Sequence, residues 1–535
     1  MLRSIAISAA IAALAAAPSC SNPQSPSNSP TPPAPSSPPP PPSAPSAPSG
    51  QLAFPAAEGF GRFAKGGRGG VVHQVTNLQD SGPGSLRACI EASGPRTCVF
   101  RIGGAINLNA SLVIENPFIT IAGQTAPGGG IALRNNLQIN APLRINAHDV
   151  IIRHIRMRPG PSIPDSDNVD AVRVSGVGSL AETENITDII FDHITLSWST
   201  DELFDHSPWA DRVTLQDSFV YEGLHDSTHT QGKHSKGPNL RSCGVSIIRT
   251  LIANSAIRNP NNTCGIFGSS MRGGGGVTGE NEFRNNVVFN GQEGFFDYFN
   301  GRGDSEVNIA CNVFIRGPST HENNLAPYAV DARDVTSAYF DHGLAQGSPG
   351  FVPAGASDAQ RLCLQDNMTE GFPGDAGAPT ARPAAIHGVL DPRDAHIVAS
   401  TDCVNNPVGN PDAAGGVRGL TGPLLPSAQV LDAVLNNSGA MPWNRDAADA
   451  RIAADVAARQ GAIIDDPSQV GGWPALAAGT PAADSDQDGM LDSWETQFGL
   501  NPNDASDRND DQDGDDFTNL EEYLNDAAGD QNGMG

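Results

Sequence analysis

Three aspartates pose the chemical question. Asp170 follows one short apolar run, and Asp201 and Asp205 lie four residues apart in a later one, a spacing that turns two strand side chains to the same side. If stacked strands bring the three together, the like charges need a cation between them, and hard carboxylate oxygens suit calcium. Downstream stand Lys233 and His234, then Arg258 within Ile257-Arg258-Asn259-Pro260. Carboxylates holding calcium beside Lys and Arg make a site for an acidic substrate. Each residue also has a plainer reading: Asp170, Asp201 and Asp205 as solvated turn residues, Lys233 as a surface charge, Arg258 as a structural ion-pair partner. Asp165 and Asp167 read as solvated loop positions. Asp192-His193 reads as a brace between neighbouring segments. His225, His229 and His234 are a weak zinc set.

A second acidic pattern lies near the end of the chain. Asp484, Asp486, Asp488, Asp492 and Glu495 occupy positions 1, 3, 5, 9 and 12 of an EF-hand-like loop, with Gly489 at the sharp turn. Asp511, Asp513, Asp515, Asn519 and Glu522 repeat the pattern, with Asp516 where the glycine belongs. Both loops are expected to bind calcium for stability or attachment, without catalysis. The alternative is an acidic disordered tail.

The elements that must position these residues are short and β-like. Phe118–Ala122, Val150–Arg156, Ile186–Leu196, Arg212–Val220, Val245–Ala253, Asn281–Phe289 and Val307–Ile315 are strand-like runs separated by Gly, Asn, Asp and Ser. Such a recurrence without crossover helices predicts a solenoid, each coil burying its inner Val, Ile and Leu against its neighbours. Asn254, Asn286 and Asn312 suit its corners. Ser85 is the predicted N-cap of a short helix through Ile90 that covers the open end. Two further helices are expected at Ala428–Leu435 and Ala447–Arg459, packed on the solenoid.

Several ordered motifs together resemble the first pectate lyase family of polysaccharide lyases, in its bacterial extracellular branch. They are Ala53-Phe54-Pro55 with Glu58-Gly59-Phe60-Gly61, Gly66-Gly67-Arg68-Gly69-Gly70, and Asp80 through Arg87. Ile121 through Gly128, Asp192-His193, Ser197 through Glu202, Gly232-Lys233-His234, Arg258-Asn259-Pro260 and Gly471-Gly472-Trp473-Pro474 complete the set. The resemblance implies an all-β, right-handed parallel β-helix and calcium-dependent β-elimination on polygalacturonate. It implies calcium carboxylates at Asp170, Asp201 and Asp205, a base at Arg258 that removes the C5 proton, and a carboxylate-binding lysine at Lys233, with His234 beside it. One departure is that Asn261, Asn262 and Thr263 stand where the family often has another basic residue. Two other readings stay open: a pectin hydrolase or methylesterase on the same scaffold, and a non-catalytic, calcium-stabilised surface protein that binds acidic glycans.

Composition bounds these readings. The 535 residues carry 59 acidic and 32 basic side chains, a net charge of −27, which excludes a nucleic-acid binder built on basic patches. Residues 481–535 hold −15 of that charge. With 59 Gly, 43 Pro and 6% aromatic residues, a helical bundle is disfavoured. Arg3 and the apolar run Ile5–Ala17 read as a secretory signal over 1–20, with Cys20 a possible lipidation site anchoring the protein to an outer membrane. Residues 21–50 are a Pro/Ser-rich linker. The expected organisation continues with a catalytic β-helix over 51–340, a packed extension over 341–480 and the calcium module over 481–535. The protein is expected to be a secreted or cell-surface bacterial monomer. Seven cysteines remain besides Cys20; Cys89–Cys98, Cys243–Cys264 and Cys363–Cys403 are pairs suggested by proximity in the chain.

Overall fold

A computed structural model describes residues 50–135, 141–161, 169–175, 186–207, 210–241, 243–263, 279–299, 305–322, 328–331, 360–372, 382–383, 397–400 and 420–530. Among these the chain winds through three sheets of eleven, ten and eight strands, here called I, II and III in the order each coil visits them. Pairing is parallel throughout, except where Met368–Glu370 meets Arg382–Pro383. One coil runs Thr187–Asp192, Thr195–Ser197, Glu202–His206, and the next runs Asp211–Gln216, Phe219–Tyr221, Lys236–Leu240. The fold is a parallel β-helix.

Its interior follows from register. Ile119, Val150, Ile189, Val213 and Val245 stack in line on sheet I, as do Ile121, Ile152, Phe191, Leu215 and Ile247, and all are buried. No coil could bury that face alone.

Most of the runs read from the sequence as single strands are in fact two. Val150–Arg156 divides into Val150–Arg153 of sheet I and Ile155–Met157 of sheet II, with His154 between them at φ +57°. His193, Asp217, Arg249, Asn285 and Cys311 make the same corner in later coils, at φ between +45° and +55°. One left-handed residue turns the chain from sheet to sheet without interrupting the run of apolar side chains, so no turn signal appears. Beside this corner runs an asparagine ladder. Asn286 Oδ1 accepts the backbone N–H of Thr250, Asn312 Oδ1 that of Asn286, and Asn367 Oδ1 that of Asn312, at 2.8 to 3.0 Å. Asn254 belongs to a different corner, after sheet II, where its Oδ1 accepts from Asn290 Nδ2 at 2.8 Å.

Helix α1 (Leu86–Glu91) closes the N-terminal end, with Ser85 Oγ accepting from Ala88 N and Leu86, Cys89 and Ile90 facing the core. The buried Arg96 guanidinium donates to five carbonyls, those of Cys89, Ile90, Gly94, Asn116 and Pro117. It therefore satisfies the end of α1 and the next turn together. A disulfide joins Cys89 to Cys98. Cys243, Cys311 and Cys363 are also disulfide-bonded, while Cys20, Cys264 and Cys403 lie outside the described residues.

Helices α2 (Ser427–Asn437) and α3 (Ala447–Ala457) cover the outer face of sheet II, burying Val430, Val434, Ile452 and Val456 against Phe219, Leu251, Val287 and Val313. Asp449 at the start of α3 is fully buried between Arg156 (3.2 Å) and Arg158 (2.7 Å). The acidic tail folds into α4 (Asp492–Phe498) and α5 (Asn519–Ala528), and Met490, Trp494, Leu520 and Leu524 pack over Ala122 of sheet I.

Candidate active site

Sheet III carries the chemistry. Asp170 sits just before the strand Val172–Val174, and Asp201 just before Glu202–His206. Parallel pairing aligns Arg173 with Asp205, so Asp170 falls beside the start of the neighbouring strand, where its Oδ1 accepts the N–H of Glu202 at 3.1 Å. Asp170, Asp201 and Glu202 are all buried, and one carboxylate oxygen from each lies within 4.8 Å of the others. Asp170 Oδ2 is buried without a hydrogen-bond partner. Burial, and then the neighbouring charge of Asp205, pushes the Asp170 carboxyl well above the usual range. An oxygen-only donor set, one of its oxygens free of any hydrogen bond and 3.5 Å from Arg173 Nε, fits calcium.

Cations line the next coil. Lys236 stands in register with Glu202, and its Nζ pairs with Asp201 and lies 3.7 Å from Glu202. Burial opposes the charged form of Asp201, but the Lys236 ammonium outweighs it and holds the carboxyl below its ordinary value. Lys236 also bridges in parallel to Ile257, which places Arg258 against the same carboxylates, with Nη1 paired to Glu202. Arg258 has φ +62°, a left-handed backbone that costs a non-glycine residue about 1 kcal/mol or more.

The aspartates expected as ligands therefore divide. Asp170 and Asp201 join the cluster, with Glu202 as the third member. Asp205 lies within reach of Asp170's charge, but its carboxylate is occupied by Arg173 at 2.8 Å, by Arg241, and by Asn239 Nδ2 at 3.5 Å. Lys233 is exposed on the wall of a cavity of about 270 Å³ shared with His225, His234, Ile257 and His321. His234 is buried, with Nδ1 2.9 Å from the Gly232 carbonyl and Nε2 3.8 Å from Asp201. Burial, and then the nearby Lys236, lower its pKa. It stacks on His229 with ring centroids 3.5 Å apart, and a ring nitrogen of each lies within 4.8 Å of an Asp201 carboxylate oxygen. Asp165 and Asp167 lie outside the described residues.

Glu202 and Lys236 are the members of this site that carry no signal of their own in the sequence. Glu202 directly follows Asp201, and Lys236 lies one coil after Glu202 in register, so the missing signal was the length of that coil. Asn261 and Asn262, the family departure, are strand residues paired to this coil, with Asn261 Nδ2 donating to Asn239 Oδ1 at 3.0 Å.

The tail forms a second candidate metal centre. Asp484, Asp486 and Asp488 present convergent oxygens, and Asp488 and Glu495 do so with Asp507, a residue outside the predicted pattern. Asp492 instead accepts from Ser485 N and Oγ, both at 2.7 Å. Burial, and then Asp488, pushes the Glu495 carboxyl up to about 8. Gly489 has φ +101° at position 6; in the second loop Asp516 takes φ +77° there. Asp511 of that loop accepts backbone N–H groups of Gly514, Asp515 and Asp516, and Asn519 accepts from Gln512 N. Asp513 stands in the loop, and Glu522 is buried on α5.

No protein-family model matches the chain. A probable pectate lyase C of Aspergillus fumigatus is 33% identical over 455 residues, covering 84% of this chain and 88% of its own. A probable pectate lyase C of Emericella nidulans is 34% identical over 456 residues, covering 84% and 87%. The chain belongs to the pectate lyase family. Among solved structures, the cedar-pollen allergen jun a 1 aligns with a TM-score of 0.43 at 16% identity, over 72% of this chain and 93% of its own. As a pectate lyase, the protein is a polysaccharide lyase. The two relatives are fungal, so they give no support to the bacterial branch or to a bacterial lipid anchor.

Proposed function

We propose that this pectate lyase cleaves polygalacturonate by calcium-dependent β-elimination on the outer face of sheet III. The observation that carries the reading is the buried trio Asp170, Asp201 and Glu202 with Lys236 and Arg258 packed against it. Asp170, Asp201 and Glu202 would hold the calcium, which when bound neutralises a uronate carboxylate and so acidifies the adjacent C5–H.

The chain's own groups supply the rest. Arg258 receives the C5 proton at a guanidine nitrogen; the C5–H electron pair becomes the C4–C5 double bond, and the C4–O bond breaks with its electron pair on the leaving sugar's oxygen, which takes a proton from water. A guanidine can accept that proton only in its neutral form, so turnover is expected to increase into the alkaline range. Lys236, paired with Asp201, offers its Nζ to a substrate carboxylate. Lys233, exposed on the cavity wall, is placed to meet the next sugar, with His234 shaping the floor. The acidic tail binds calcium through Asp484, Asp486, Asp488, Glu495 and Asp507, and through the second loop, and so clamps onto sheet I. The leader fits an exported enzyme acting outside the cell.

The test is ultraviolet absorbance of the unsaturated uronide on polygalacturonate, with calcium and with chelator. A calcium-requiring rise supports elimination. Chain cleavage without absorbance, insensitive to chelator, would favour a hydrolase.

A further inference from the structure

The outer face of sheet III extends beyond the acidic cluster. In register along it stand Val113, Arg144, Arg173, Asp205, Asn239 and Asn261. Arg144 and Arg173 are each the middle residue of a three-residue strand whose other two side chains are buried. Both guanidinium groups therefore leave the same face one coil apart, about 4.8 Å along the stack.

Their surroundings differ. Arg173 is neutralised by Asp205 at 2.8 Å and Asp170 at 3.5 Å. Arg144 is half-buried, makes no ion pair within 4 Å among the described residues, and keeps its Nε buried without a hydrogen-bond partner. Burial, and then the charge of Arg173, lowers its pKa, while Asp170 and Glu115 act on it only from a distance. A guanidinium held against its like, on a row of sheet III that also carries carboxylates, is completed by an anion.

We propose that Arg144 binds a carboxylate of the polyuronate chain at a subsite beyond those that flank the bond that breaks. This rests on the polygalacturonate reading above. Arg258 reaches back to pair with Glu202, on the strand of Asp205, so Arg144 lies two register steps from the reacting guanidine, or about 10 Å at ~4.8 Å per step. A sugar at Arg144 is thus displaced along the polymer from the one that reacts, and a trimer centred on the breaking bond does not reach it.

The test is steady-state kinetics of Arg144→Gln on long polygalacturonate and on trigalacturonate, read by the absorbance of the unsaturated product. KM for the polymer is expected to rise about fivefold, the scale of a partly exposed ion pair, with kcat and the trigalacturonate constants unchanged. Arg144→Lys keeps the stem and charge, and is expected to recover at least half of the lost affinity; it supplies the same comparison should the glutamine variant fail to fold. Unchanged polymer KM, or equal losses on both substrates, would overturn the assignment. A wild-type enzyme that makes no unsaturated product from either substrate would remove the underlying reading as well, a failure visible before any variant is compared.

Discussion

At the scale of single residues, Glu202 links the two halves of the site, because it belongs to the carboxylate trio and also pairs with Arg258. Removing Arg258 should therefore separate chemistry from metal binding. Arg258→Ala is expected to lower kcat by about 10²-fold or more, the range of a lost general base, while calorimetric calcium affinity stays within a few fold. Asp170→Asn should act the opposite way. It leaves Arg258 in place but removes a ligand charge, so the calcium concentration for half-maximal turnover should rise about tenfold or more. A calcium titration of activity checks this, and an unchanged midpoint would exclude Asp170 from the metal site. The composition of the site was partly readable in the sequence: Asp170, Asp201 and Arg258 stood out by type and spacing. Glu202 and Lys236 did not, because a coil of unknown length hides which residues become neighbours across a parallel sheet.

Among the elements, legibility followed how each one buries its side chains. Helix α1 and its Ser85 cap, α2 and α3 were plain in the sequence, since capping and apolar periodicity are local signals. The two-strand corners were hidden because a single left-handed residue carries each of them. Sheet III was the least visible, although it holds the site: Glu202–His206, Lys236–Leu240 and Asn261–Asn262 are short and rich in polar residues, and lack the alternation that marks a strand. The asparagine ladder ties the coil of Asn261–Asn262 to the three that follow it. Asn312 accepts from Asn286 N and donates to the Phe283 carbonyl at 2.9 Å, entirely inside the protein. Asn312→Ala leaves a buried N–H and a buried C=O unmet, at a cost of about 2–4 kcal/mol. Urea unfolding followed by circular dichroism should show that loss as a lower midpoint at unchanged slope; an unaltered midpoint would mean the ladder is dispensable.

For the molecule as a whole, the tail ties an acidic candidate metal centre to the β-helix. Arg153 of sheet I pairs with Asp530 at 2.8 Å, and Arg68 with Glu521 at 2.7 Å. Without an ion, burial and mutual repulsion hold Glu495 up to about 8, Glu522 up to about 7 and Asp488 up to about 6. Folded-state values raised above the unfolded ones, ~4 for carboxylates, favour folding in acid and lose that contribution as pH climbs from about 4 through 8. The calcium-free tail should thus weaken across this window. Calcium added at pH 7 should release protons, with less released at pH 9, where Glu495 is already ionised. Titration in weak buffer with a pH electrode checks this, and equal release at both values would contradict it. The account's central claim, elimination by Arg258 on a calcium-held uronate, is tested most directly by the ultraviolet absorbance of polygalacturonate digests of the wild type and Arg258→Ala, each with calcium and with chelator. Rising absorbance only for the wild type with calcium is the predicted result. An equal rise for Arg258→Ala, or one untouched by chelator, would contradict it.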